Sequence, residues 1–330
     1  MSTKTRLGRS WSLFLTRAND RYRTSTKWIT DRRRPRLAFP PATSIVVERV
    51  DHGVLEIRLA GGDRRNVLGR STIDRIEAIV ASPPHGTKVI VITAEPPDFC
   101  AGYDIVEASR GGASELMAYE KNFVPLRSSL VPIVMALQGN VIGGGLELAL
   151  LADVRIASPE ARFAIPASKL GLIYSEAGAR LVVDAFGESM ARSMFLGGRV
   201  VTAEEALNLG VVSNIVGREQ LRNEALTLAA VIASWSGEAT SGNRQVLDVI
   251  AGRIDANIEE LHQLSFDPRG TLAETISAFV ARRSGTVQLT HAGHATTRVK
   301  RHDDTVVAHV DGHGGQVDPN ITEPIGVLEN

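Results

Sequence analysis

Residues 142–150 read IGGGLELAL, three consecutive glycines and then one carboxylate, Glu147, in an otherwise apolar run. A carboxylate among apolar neighbours is costly unless it is paired or hydrogen-bonded, and glycine at a helix start gives up helix stability for close backbone approach. A second glycine-bearing segment, AGYD at 101–104, also follows an apolar run. Two such loops can point backbone N–H groups at one spot, an arrangement that holds a carbonyl oxygen as it becomes negative during reaction. Gly144 and Gly145, at the start of the helix that the spacing predicts, would add the favourable end of the helix dipole. Glu147, one turn in, would stand beside that oxygen as an acid or a base. The same residues carry a packing interpretation of equal weight, in which the triplet lets a strand and a helix approach closely and Glu147 is a salt-bridged core residue. A dinucleotide-binding turn fails on spacing. The third glycine of GxGxxG would fall at Leu148, and no lysine of a phosphate-binding loop follows.

Loops of this kind need rigid neighbours. SIVVERVDHGVLEIRLA (44–60) holds two β-rich runs split by Asp-His-Gly and predicts a hairpin. STIDRIEAIVAS (71–82) has helical spacing at Ile73, Ile76, Ile79 and Val80, with Ser71 as its cap. KVIVITA (88–94) is a continuous β-branched run suited to a strand covered on both faces, and PIVMALQG (132–139) and DVRIAS (153–158) predict two more buried strands. A further helix is expected near 114–129. Beyond about residue 165 the pattern turns helical: ARLVVDAFG, ESMARSMFLGG, TAEEALNLG, REQLRNEALTLAAVIASW and a pair between 237 and 284. TAEEALNLG runs from a Thr202 cap to a Gly210 stop and precedes the strand VVSNIV. The order predicts one α/β body over 44–284, helical from about 200, with no linker inside it.

The 330 residues are 43% hydrophobic, enough to bury one large core or two smaller ones. No stretch of 18 or more apolar residues occurs, which argues against a transmembrane helix. Cys100 is the only cysteine, so a reducing compartment fits. The formal net charge is zero, yet residues 1–37 carry eleven Lys and Arg against Asp20 and Asp31, leaving about −9 on the rest. A basic arm on an acidic body argues against a nucleic-acid partner. That arm, residues 1–43, is Arg- and Ser-rich, the composition of a mitochondrial presequence and equally of translated upstream sequence or a disordered arm. The expected location is the cytoplasm, or the mitochondrial matrix if the arm is a presequence. Residues 285–330 are polar and hold five of the eight histidines, His291, His294, His302, His309 and His313. A solvated, disordered tail is expected there and no metal site.

DFCAGYDI, then ALQGNVIGGGLELALLADVRIASPEARFAIP, then FLGGRVVTAEEALNLGVVSNIV, resemble in order and spacing the enoyl-CoA hydratase/isomerase (crotonase) family, over roughly residues 44–284. The resemblance implies an α/β fold, a crotonase-like spiral of ββα turns with a helical C-terminal trimerisation region, assembling as a homotrimer or hexamer. It implies an acyl-CoA thioester as ligand, with coenzyme A entering as part of the substrate and no separate cofactor. The family's oxyanion-hole positions fall on the N–H groups of Tyr103 and Gly144, and its first catalytic glutamate falls on Glu147. Further substrate contacts are implied for Arg65 and Val67 in RRNVL (64–68), and for Ala101, Asp104 and Ile105 around the first oxyanion donor. Toward the nucleotide, AFVARR (278–283) implies Phe279 with Arg282 or Arg283.

One position departs from the family pattern. Hydratases of this family carry a second glutamate twenty residues on, where this chain reads IPASKLGLIYSEAG (165–178) and has Ala167. Hydration wants one group to activate water and another to deliver the proton. Three neighbours are candidates to compensate. Tyr174 resembles a tyrosine of methylmalonyl-CoA decarboxylases in the same family, Glu176 lies in the segment that usually lines the pocket, and Ser168 adjoins Ala167. Each also has a plain structural interpretation, respectively an amphipathic wall, a helix-start charge and a turn residue. The expected function is hydratase/isomerase-type processing of an acyl-CoA thioester through an enolate. Decarboxylation of a malonyl-type thioester and a catalytically silent CoA-binding scaffold are the alternatives.

Overall fold

The computed structural model describes residues 43–107 and 123–264, Phe266, and the segments 271–283, 286–291, 295–302 and 305–310. In chain order the body begins with β1 (Ser44–Val50), β2 (Val54–Ala60), α1 (Arg70–Ala81), β3 (Val89–Ala94), the single turn α2 (Val124–Arg127) and β4 (Ile133–Leu137). It continues through β5 (Asn140–Ile142), α3 (Gly144–Leu150), β6 (Val154–Ala157), β7 (Arg162–Ala164), α4 (Glu176–Phe186) and α5 (Glu188–Gly197). Then come β8 (Val201–Thr202), α6 (Ala203–Asn208), β9 (Asn214–Ile215), α7 (Arg218–Ala233), α8 (Gly237–Ile250), α9 (Ile258–Leu264) and α10 (Thr271–Arg283). Three further strands follow, β10 (Thr286–His291), β11 (Ala295–His302) and β12 (Thr305–Val310).

The main sheet has the order β1-β2-β3-β4-β6-β9, antiparallel in the β1–β2 hairpin and parallel from β2 onward. A smaller sheet, β5-β7-β8, completes the spiral. The apolar runs of the strands are continuous because both faces are covered. Ile90 and Ile92 of β3, with Ile133, Met135 and Leu137 of β4, enter the main core. Val89 and Val91, with Val134 and Ala136, face α7 through Leu221, Ala225, Ala229 and Ala233. Four-residue spacing of mostly small side chains lets α7 lie close to the sheet. Arg244 of α8 docks the helical part. Its Nε donates to Asp153 Oδ1 at 2.9 Å, its Nη2 donates to Leu126 O at 3.2 Å, and Nη1 donates to Ser129 O.

Most expected elements form, and the departures have local causes. Ser71 does not cap α1; the helix starts one residue earlier, at Arg70, with Gly69 as N-cap and no side-chain cap bond. Of the helix expected near 114–129, only α2 lies within the described residues. Where a pair of helices is expected between 237 and 284, the described residues form three. Gly252 stands at φ +66° after α8, and Asn257 Oδ1 accepts the N–H of Glu259 at 3.0 Å, a break followed by a fresh cap at the start of α9. Beyond 285 the described residues form the antiparallel meander β10–β12, whose strands include the β-branched residues Thr286, Val287, Thr305, Val306 and Val307. By contrast, α6 forms as read, with a reciprocal Thr202–Glu205 capping box. Helices α8 and α10 leave Leu247, Ile250, Ile276, Phe279 and Val280 more than half exposed.

Candidate active site

The two glycine loops are joined by backbone pairing. Phe99 N donates to Gln138 O at 2.6 Å, Cys100 N to Asn140 O at 3.0 Å, and Ile142 N to Cys100 O at 3.0 Å. The chain from Phe99 to Tyr103 therefore runs alongside β5 into the start of α3. On its other side it pairs with Leu68, whose N–H donates to Gly102 O and whose carbonyl accepts from Asp104 N, both at 2.8 Å. In that pattern the N–H of Tyr103 points away from Leu68.

Gly143 turns β5 into α3 with φ 53° and ψ −121°, a conformation that only glycine adopts readily. Its carbonyl accepts from Leu146 N and Glu147 N, both at 2.9 Å, which opens the helix. Gly144, the first helical residue, has no acceptor for its N–H among the described residues, as expected at a helix start. Gly144 is required for a different reason from Gly143: close approach. A β-carbon there would lie 2.6 Å from Cε2 and Cζ of Tyr103, whose ring rests on the glycine.

Glu147 is 9% exposed, and two phenols hold its carboxylate. The Tyr103 hydroxyl donates to Oε2 at 3.3 Å, and the Tyr174 hydroxyl donates to Oε1. Burial raises the Glu147 pKa; the two hydroxyls and the field of Arg127 pull it back only in part. Burial, and then the neighbouring carboxylate, raise the Tyr174 pKa as well, so its phenol stays a donor. The Tyr174 ring is braced edge-on by Phe195, with centroids 5.1 Å apart at 71°. Gly178 of α4 closes the group; a β-carbon there would lie 2.8 Å from Tyr174 Cε1 and 3.1 Å from Glu147 Oε2.

Of the expected site residues, Tyr103, Gly144, Glu147 and Tyr174 come together. Glu176 does not join them. It opens α4 with its side chain 88% exposed, 3.6 Å from Arg180 one turn on, at a helix start where the dipole favours a negative charge. Ser168 is also diverted, its hydroxyl donating to Phe195 O at 2.7 Å. Ala167 is buried in the main core at the head of the turn 167–170. The Asp104 carboxylate braces its own loop. Its Oδ1 accepts from Val106 N and Glu107 N, and its Oδ2 pairs with Arg64 Nη2 at 2.6 Å.

Arg65 has a half-exposed side chain, with Nε 3.4 Å from Asp98, and its carbonyl accepts from Ala101 N at 3.0 Å. Ile105 and Phe279 are exposed, and Val67 is half-buried. The side chains of Arg282 and Arg283 lie outside the described residues. Sequence reasoning missed two participants, the phenol of Tyr103 and Arg127, whose Nε is buried with no hydrogen-bond partner among the described residues. The Tyr in AGYD was the available signal for the first, and nothing in VPLR marks the second.

A spiral α/β body with two paired glycine loops and a buried carboxylate at their junction is a crotonase-type domain. The chain belongs to the enoyl-CoA hydratase/isomerase family, whose model matches residues 49–257. It is 31% identical over 242 residues to a protein of Mycobacterium leprae described as a probable enoyl-CoA hydratase, covering 70% of this chain and 92% of that one. It is 29% identical to the 2,3-dehydroadipyl-CoA hydratase of Escherichia coli, over 62% of this chain and 82% of that protein. Among solved structures, an enoyl-CoA hydratase subunit I from Geobacillus kaustophilus superposes with a TM-score of 0.63 at 27% identity, over 72% of this chain and 95% of that one.

Proposed function

We propose that this chain converts an acyl-CoA thioester through an enolate, with Glu147 transferring the proton and the N–H groups of Tyr103 and Gly144 holding the thioester oxygen. One observation carries the reading. A core carboxylate with a purely structural role is normally bonded to a cation, as buried Glu56 is to Arg222. Glu147 instead has only neutral hydroxyls bonded to it among the described residues, beside the junction of the two loops. Such a group is left able to take up and give back a proton.

With Ala167 in place of a second carboxylate, Glu147 works alone. In hydration it takes a proton from water as the oxygen adds to the β-carbon, and the double-bond electrons move onto the thioester oxygen. The resulting enolate is held by the two N–H groups. Glu147-H then returns the proton to the α-carbon, so the balance is one water added. Isomerisation uses the same group twice, to remove a proton at one carbon of the allylic system and return it at another.

A second reading, decarboxylation of a malonyl-type thioester, is favoured by Arg127, whose charge acts on Glu147 and whose Nε has no hydrogen-bond partner among the described residues. A guanidinium suits a substrate carboxylate. The dehydroadipyl thioester named for the Escherichia coli relative also carries a second carboxyl group. Crotonyl-, 3-enoyl- and methylmalonyl-CoA, each followed by mass spectrometry of products, separate these outcomes. Hydration or double-bond migration is expected, loss of carbon dioxide alone would move the assignment to the decarboxylase, and no turnover of any of them would leave the silent scaffold.

The exposed apolar row on α8 and α10 supports assembly as a homotrimer or hexamer, since patches of this kind mark contact surfaces. Sedimentation velocity should show three or six chains; a stable monomer would rule this out.

A further inference from the structure

The groups around Glu147 come from four elements: Tyr103 from the first glycine loop, Tyr174 from the segment before α4, Gly178 from α4, and Arg127 from the end of α2. The two phenols are not equivalent. Tyr174 makes the tighter contact, and its ring is locked against Phe195. Tyr103 sits 3.3 Å from Oε2, long for a hydroxyl on a carboxylate, and its ring lies on Gly144 at the other arm of the site. We propose that Tyr103 is a positioning residue for Glu147, its phenol holding Oε2 in line until substrate displaces it, while the N–H of the same residue receives the thioester oxygen. One residue then sets the base and the electrophile in a fixed relation. The inference rests on the reading of Glu147 as the proton-transferring group.

Two physical points support it. The Tyr174 bond keeps Oε1 occupied, so Oε2 is the oxygen from which a partner is most readily released to expose a lone pair to substrate. Ring packing on Gly144 would be served equally by phenylalanine; only the hydroxyl reaches the carboxylate.

Tyr103→Phe isolates the claim, because it keeps the ring, the backbone N–H and the space over Gly144. Turnover should fall about tenfold, the scale of one hydrogen bond to a charged group, with KM for the thioester changed by no more than about twofold, since the backbone donors remain. The acid limb of the kcat–pH profile should move to higher pH. Loss of a donor to the ionised form raises the pKa of Glu147, and the active carboxylate then appears only at higher pH. Tyr174→Phe should move the same limb further. A merely structural role for Tyr103 would change turnover or Tm and leave the limb in place, and that result overturns the inference. If Glu147→Gln itself retains turnover, the underlying reading fails instead, so the two failures are told apart.

Discussion

Glu147→Gln is expected to cut turnover by about 10²–10⁴-fold, the range typical of a removed acid–base group. It should also abolish deuterium uptake from heavy water at the α-carbon of a bound acyl-CoA. The same change should not lower stability at alkaline pH. Burial raises the carboxyl pKa in the folded chain, so its favourable contribution is complete below the unfolded value of about 4.3 and is lost as pH rises toward the raised one. Above that window wild type holds a buried charge that the amide lacks, and thermal melts at pH 8 should place the variant at or above wild type. Glu176→Gln is the matched control. Its side chain is 88% exposed and pairs with Arg180, so turnover should be unchanged and Tm should move by no more than about 2 °C. Normal exchange and turnover in Glu147→Gln would transfer the assignment to the silent CoA-binding scaffold.

Gly144→Ala should be nearly as damaging, although it adds a single methyl group. The new carbon would lie 2.6 Å from two atoms of the Tyr103 ring and 2.7 Å from a third, so the ring must leave. The displaced ring frees Oε2 of Glu147, and it and the new methyl crowd the space where the thioester oxygen must reach the N–H groups of Tyr103 and Gly144. A loss of about 10²–10³-fold in kcat is expected, the scale of removing one such donor, and Gly144→Val should lose more. Circular dichroism separates this from misfolding. A folded Gly144→Ala protein with near wild-type turnover would dismiss both Tyr103 and Gly144 as the oxygen-binding pair.

Much of this architecture is legible in the residues themselves because its causes are local. The continuous apolar runs of KVIVITA and PIVMALQG require cover on both faces, and the structure supplies the main core on one and α7 on the other. The Thr202–Glu205 capping box and the positive-φ turn at Gly143 follow from chemistry within a few residues. The burial of Glu147 follows likewise from its apolar neighbours on both sides.

What lay beyond the sequence was which side chains meet across elements distant in the chain. Nothing in the spacing of Tyr103, Glu147 and Tyr174, separated by 44 and 27 residues, indicates that both phenols reach one carboxylate. Glu176 stood two residues from Tyr174 and was read as a member of the same site, yet at the start of α4 one side chain turns inward and the other outward. Asp104 adjoined the oxyanion donor and proved to be tied to Arg64 and to its own next turn. Secondary structure and burial obey local periodicity and backbone sterics, so they can be read along the chain. Partners of a buried polar group are chosen by the path of the chain through space, and only the packed fold determines them.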